Sequence, residues 1–285
     1  MTGLPRRVSR DPRYYQIAIL STLLCYGVAV LDFGVQWQHA AAIIGTALGA
    51  QWLAGRTLGL AGFDPLSPLI SALSLTLLLR TNSLSIAALA ALLAIGSKFL
   101  LRVNGKHVFN PANFALVTLM FTSEQAWLSS GQWGNTALLA FGFACLGLAV
   151  LNRARRAETS LAFIMAFALL LFSRAVWLGD PLSIPLHQLQ NGALLLFAFF
   201  MISDPKTSPD AASGRVLYGA LVACVACLIL FGLNQPHGPV IALILCAPLV
   251  PLIDRYANGR RYVWRAAGSL SRDSSAAKLK QGTSV

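Results

Sequence analysis

Acidic side chains are scarce. Ten Asp and Glu occur in 285 residues beside 22 Lys and Arg, and charged residues together make up 11% of the chain. Ordinary soluble domains carry roughly 25%, so the polar surface that a soluble core of this size requires is missing. None of the carboxylates lies at the centre of an apolar run: Asp32, Asp64, Glu124, Asp180 and Asp204 all stand near run ends. Coupled ion carriers commonly keep a buried Asp or Glu as the ion or proton site, which argues against an autonomous sodium or proton pump. HExxH, GxSxG and a Walker loop are absent, so ATP is not the expected energy source and no catalytic residue is assigned. Cysteines are few as well. Cys25, Cys145, Cys224, Cys227 and Cys246 all sit in apolar runs. Cys224-x-x-Cys227 has no second pair of like spacing, so small-residue helix packing explains it better than a metal. His39, His187 and His237 fall in loops, too scattered for a zinc site.

Apolar residues are what the chain has in abundance. They make up 56% of it, the mean hydropathy is +0.65, and several runs approach the ~20 residues that cross a bilayer as helix. Ten crossings are predicted, at 15–31, 39–55, 68–80, 84–100, 110–123, 135–151, 160–178, 190–203, 215–233 and 239–253. Excess Lys and Arg mark cytoplasmic loops. Arg6, Arg7, Arg10 and Arg13 precede the first run, which puts the N-terminus inside. Counting runs then places Arg56, Lys98, Arg102, Lys106, Arg153, Arg155, Arg156, Lys206, Arg215 and the tail after Arg255 on the same side. The opposite loops, around 32–39, 123–134 and 234–238, hold no Lys or Arg. Arg80 and Arg174 are the exceptions, expected to snorkel from outer helix ends. The net charge of +12 thus marks topology and an anionic inner leaflet rather than nucleic acid. No small-residue cleavage site follows the first run, which is expected to be retained. A multi-pass protein of the bacterial inner membrane, with both termini cytoplasmic, is the expectation.

Ten runs divide into two fives: a basic tail (1–13), a first unit (14–130), a second unit (135–255) and a second basic tail (256–285). Five is odd, so the second unit must start from the other side, and any repeat is an inverted one. The third run of each unit is short, "PLISALSLTLLL" and "GALLLFAFFMIS", and the fifth opens on proline, "FNPANFALV" and "PHGPVIALI". Short or Pro-interrupted segments at matching positions of two halves point to a midplane site between inverted repeats. Ordinary tilted helices with misjudged ends are the plainer alternative.

The densest polar clusters converge on the cytoplasmic side from opposite units. One is Asn110-Pro111-Ala112-Asn113; the other runs from Ser203 through Asp204-Pro205 to Pro209. Asn110 suits an N-cap and Pro111 a first helical turn, whereas Asn113 lies one turn inside, where its amide needs a buried partner. Asp204 before proline also reads as a simple helix stop. Together the two clusters offer a donor and acceptor rim suited to a planar polar ring such as an isoalloxazine or pyrimidine edge.

The stretch "SKFLLRVNGKHVFNPANFALV" closely resembles the signature of the NqrB/RnfD family, membrane subunits of the sodium-pumping NADH:quinone oxidoreductase and the Rnf electron-transport complex. "FMISDPKTSP…GRVLYGALV" resembles the family's second signature and "SALSLTLLLR" its third. The resemblance implies an all-α integral membrane fold of ten helices in two inverted five-helix repeats, similar to urea channels. It also implies flavin chemistry, with riboflavin or FMN held near the Asn-Pro and Asp-Pro motifs and electrons passing toward quinone. Carried over by position, Asn110, Asn113 and Asp204 become flavin-edge contacts, and Gly105, Lys106 and His107 a neighbouring cationic loop able to stabilise reduced, anionic flavin. One departure stands out. The family's Ser-Gly-Ala-Thr motif for covalent FMN is absent, and Thr46, Thr136 and Thr207 lack its surroundings. The flavin is therefore expected to be non-covalent. Three functions stay open: a flavin-binding electron-transfer subunit of an NADH:quinone or ferredoxin:NAD oxidoreductase, with other membrane or iron–sulfur subunits as partners; a facilitator for a small polar or flavin-like solute, using Ser71, Ser74, Asn113 and Asn191; and a membrane anchor for a redox partner.

Overall fold

The computed structural model of the protein describes residues 11–60, 62–128, 142, 157–257 and 259–262. The sixth predicted crossing apart from residue 142, Thr136, Cys145, Arg153, Arg155, Arg156 and most of both basic tails lie outside the described residues. The other nine predicted segments each fall on a helix. In chain order the helices are α1 (Pro12–Ala29), α2 (Trp37–Thr57), α3 (Leu66–Leu78), α4 (Leu84–Leu100), α5 (Pro111–Thr122), α6 (Ala157–Leu178), α7 (Ser183–Leu189), α8 (Gly192–Met201), α9 (Ala212–Gly232) and α10 (Gly238–Tyr256).

Their starts follow from local chemistry. Asp11, Ser83, Asn110 and Asn191 each cap a helix by accepting a hydrogen bond from a backbone N–H in its first turn. Proline occupies the first turns of α1, α5 and α10, where its missing N–H is not needed. α8 and α9 both end in a π-helical turn, at Phe197–Met201 and Leu228–Gly232.

Two of the predicted crossings are shorter than a full span, the first of them as its sequence implied. α3 has 13 residues and α5 has 12, which at ~1.5 Å each gives roughly 20 Å or less, short of the ~30 Å of a bilayer core. α3 continues instead as an extended segment, Leu79–Thr81 (β1), paired antiparallel with Ala126–Leu128 (β4) after α5, with Arg80 opposite Trp127. Arg80 does not snorkel either. It is only 8% exposed; its Nη1 donates to the carbonyls of Thr76 and Leu79 at 3.0 Å. The cation thereby sits at the electronegative end of α3. Between α4 and α5, Arg102–Val103 (β2) and Lys106–His107 (β3) form a small hairpin. Its turn is Asn104-Gly105, both at positive φ (51° and 72°), as a two-residue type I′ connection demands.

α3 and α8 are the buried heart of the molecule. Every residue from Ser71 to Leu78 is buried, as is all of α8 except Leu194. α6 shows the opposite pattern, burying Phe163, Phe167 and Leu171 while exposing Leu161, Met165, Leu169 and Val176. A helix apolar on both faces belongs in lipid. α6, α9 and α10 are each long and apolar enough to cross a membrane, and α7 with α8, bent by 50°, make a fourth broken span or a re-entrant loop. The chain is a mostly helical, multi-pass membrane protein.

Candidate functional site

A cleft of about 610 Å³ opens where the first turn of α1, the last turns of α2 and α4, the first turns of α3 and α5, and the end of α8 meet. Phe99, Phe199 and Phe200 supply apolar walls, and Ser71 and Ser74 supply hydroxyls along α3. Its polar rim contains three of the residues predicted from sequence: His107, Asn110 and Asp204.

Asn110 is the joint between the two polar motifs. Its Oδ1 accepts from the Asn113 N–H at 3.1 Å, capping α5. Its Nδ2 donates to the Met201 carbonyl and to Asp204 Oδ2, both at 3.4 Å. Asp204 Oδ1 accepts from the Lys206 N–H at 2.9 Å, and its carbonyl accepts from the Ser208 N–H at 2.9 Å. The Asp-Pro motif is thus a closed turn that presents one carboxylate oxygen to α5.

The other predicted residues lie elsewhere. Asn113 is 1% exposed and does not line the cleft; its Nδ2 donates to the Val240 carbonyl at 2.9 Å, tying α5 to the first turn of α10. That answers the need for a buried partner, while Oδ1 finds no hydrogen bond among the described residues. Asn110, rather than Asn113, is the residue that meets Asp204. Gly105 forms the hairpin turn. Lys106 turns to ion pairs with Asp210 (3.1 Å) and Asp254 (2.9 Å), fastening the hairpin to the end of α10. Thr207 is buried and its hydroxyl donates to the Asp204 carbonyl.

His107 keeps its place at the cleft, with a ring nitrogen, Nδ1, that is buried and unpartnered among the described residues. Burial, and then the cations of Arg102, Lys98 and Lys206, push it down to about 4. The ring is neutral at neutral pH and able to accept a hydrogen bond. Because the folded value lies below the usual 6.5, the unfolded chain binds the extra proton between those two values, and stability falls as pH drops from about 6.5 toward 4. His107→Gln is expected to flatten that part of the curve, read as the difference in melting temperature between wild type and variant in detergent at pH 4.5 and 7.5. Burial likewise lowers Lys206, partly offset by Asp204.

Sequence reasoning used Lys98 only as a topology marker. It is 4% exposed and lines the cleft from α4. Its Nζ donates to Gln51 Oε1 and Ser67 Oγ, each at 2.9 Å.

A second, more apolar cavity of about 310 Å³ lies between the end of α3 (Leu78), the start of α8 (Asn191 to Phe197) and the start of α10 (His237 to Val240). α3 therefore runs from the cleft to this cavity, and α8 runs back from it to the cleft.

These features define a helical membrane protein with a cationic, aromatic-walled cleft at the ends of two buried half-helices. Residues 124–263 match the sequence model of the NQR2, RnfD, RnfE family. The chain is similar to that family over just under half of its length. It is 34% identical over 160 residues to the D subunit of the ion-translocating oxidoreductase complex of Cronobacter sakazakii, covering 55% of this chain and 44% of that one. It is 41% identical over 91 residues to the corresponding protein of Mannheimia succiniciproducens (32% and 26% covered) and 35% identical over 131 residues to that of an Escherichia coli O7:K1 strain (46% and 36%). Each match spans less than half the length of the relative. The family match takes in the Asp204 motif; the Asn110 motif, on which much of the sequence resemblance rested, precedes the matched residues.

Proposed function

We propose that this chain is a membrane subunit of an electron-transport complex of the RnfD/NqrB type, holding a flavin without a covalent bond in the cleft. The observation that carries this reading is the cleft itself. At about 610 Å³ it falls in the size range that encloses drug-sized ligands. It pairs phenylalanine walls, suited to the faces of a flat ring, with an amide, a carboxylate and an imidazole nitrogen, unpartnered among the described residues, suited to its edge. When bound, a flavin supplies reversible one- and two-electron chemistry; the residues here bind and orient it and limit access of water. The relatives are subunits of ion-translocating oxidoreductase complexes by name. On that basis the partners are other membrane, iron–sulfur or flavin subunits, and ion coupling would belong to the assembly.

The antiparallel course of α3 and α8 between two cavities supports an arrangement of two inverted five-helix repeats, in which some members are half-length helices. The loop charges support a bacterial inner-membrane setting with both termini cytoplasmic.

Protein purified in mild detergent should be yellow, with absorbance near roughly 450 nm that dithionite bleaches. The cavity at the opposite end of α3 favours a second reading, a facilitator of a small polar solute. A colourless preparation that carries solute into proteoliposomes without redox input would favour it and defeat the first.

A further inference from the structure

Among the described residues, charge in the cleft does not balance. Of its two carboxylates, Asp64 accepts from Arg13 at 2.5 Å and Asp204 is engaged by Asn110 and the Lys206 backbone. Arg56, Lys98, Arg102 and Lys206 also line it, and none of the four has a carboxylate within ion-pair distance among the described residues. Arg56 and Arg102 lie over the rings of Trp52 and Phe99 and are exposed to screening solvent. Lys98 is different. It is 4% exposed and held at 2.9 Å by two neutral oxygens, Gln51 Oε1 and Ser67 Oγ, brought from α2 and the start of α3. An ammonium has three N–H donors, so one is left. Asp64 and Asp204 attract it only from beyond ion-pair distance; a buried charge without a close counter-charge is costly, and fixing its position with two side chains from separate helices adds the cost of ordering them. Such an arrangement is sensible where the counter-charge arrives with a ligand.

We propose that Lys98 is the receptor for one negative charge on the occupant of the cleft. The identity of the ring rests on the flavin reading; the charge rests on Lys98 and the unbalanced cations around it. Two sources share this chemistry: the phosphate of a mononucleotide, and a ring that becomes anionic on reduction. Charge-assisted hydrogen bonds of this kind correspond to roughly 10- to 100-fold in affinity.

The test measures binding of riboflavin and of FMN, oxidised and dithionite-reduced, to wild type, Lys98→Gln and Lys98→Arg, together with the melting temperature of flavin-free protein with and without inorganic phosphate. A phosphate source predicts that oxidised FMN binds wild type and Lys98→Arg at least about tenfold tighter than riboflavin, and that Lys98→Gln removes the difference. A ring source predicts equal binding of the oxidised forms and tightening on reduction that Lys98→Gln abolishes. A folded Lys98→Gln protein that binds every form as wild type does overturns the inference and leaves the flavin reading intact. Conversely, wild type that binds no flavin, yet is stabilised by phosphate in a Lys98-dependent way, keeps the anion site and removes the flavin. Should Lys98→Gln fail to fold, wild type decides alone: indifference to phosphate, to the mononucleotide group and to reduction sinks the proposal.

Discussion

Gly219→Leu is expected to leave no monodisperse protein on size exclusion in mild detergent, and Gly219→Ala to survive with a clearly lowered melting temperature. A Cβ built at Gly219 would stand 2.5 Å from the Thr159 carbonyl oxygen, 3.0 Å from Ala162 Cβ and 3.0 Å from the Phe163 backbone nitrogen. None of these atoms is the movable end of a side chain, so α9 and α6 themselves must part. Their separation would loosen the buried Tyr218 and Val222 on one side and Phe163, which packs against Phe197 of α8, on the other. Close approach of small residues is what holds helices together in lipid, where apolar burial gives no net drive. Overpacking costs about 1–3 kcal/mol for a methyl-sized insertion and more for larger side chains. The pair formed by Arg215 and Glu158, 3.2 Å apart, fastens the same two helices near their starts and cannot yield without breaking. Gly45→Ala is the control: nothing lies within 4 Å of a Cβ there, and an alanine in mid-helix should be neutral or stabilising by roughly 0.5–1 kcal/mol.

Much of the helical plan was legible because its signals are local. Asp11-Pro12, Ser83 and Asn110-Pro111 announce helix starts through side chains that reach only two or three residues. Asn104-Gly105 carries an equally local hairpin signal that the family resemblance obscures, since Gly105 falls in the stretch where the resemblance implies a cofactor loop. What sequence could not reveal is which apolar helices face protein. In a soluble chain the apolar stripe marks the core; in a membrane chain both faces are apolar, and α3 and α6 look alike although one is enclosed and the other faces outward. Long-range pairing was hidden for a similar reason. β1 meets β4 across nearly fifty residues, and that pairing turns a predicted crossing into a half-helix. The site divides the same way. Asn110 and Asp204 were visible as polar breaks in apolar runs, whereas Asn113, one turn further on, is spent on the Val240 carbonyl. Lys98 looked like one more inside-facing cation until Gln51 and Ser67, 47 and 31 residues earlier, drew it inward.

Asp204→Ala should cost both flavin and stability, and Asp204→Asn should separate the reasons. The aspartate closes its own turn by accepting from the Lys206 N–H, and it joins the end of α8 to the start of α5 through Asn110. Alanine removes both bonds and leaves a buried amide N–H short of a partner, a loss of roughly 1–3 kcal/mol. It also takes one negative charge from a cleft already rich in cations. Asparagine keeps one acceptor oxygen, enough to close the turn on the Lys206 N–H, but it turns a donor NH2 toward Asn110 and carries no charge. If the turn geometry is what positions the cleft wall, Asp204→Asn retains flavin, measured as absorbance near roughly 450 nm per protein, and melts close to wild type, while Asp204→Ala loses most of the flavin and melts several degrees lower. If the charge is what counts, both variants lose stability, because the cations of Lys206 and Lys98 then lose the attraction that Asp204 exerts from beyond ion-pair distance. Wild-type flavin content and melting in both variants would remove Asp204 from the site and leave the Asp-Pro motif as a helix stop.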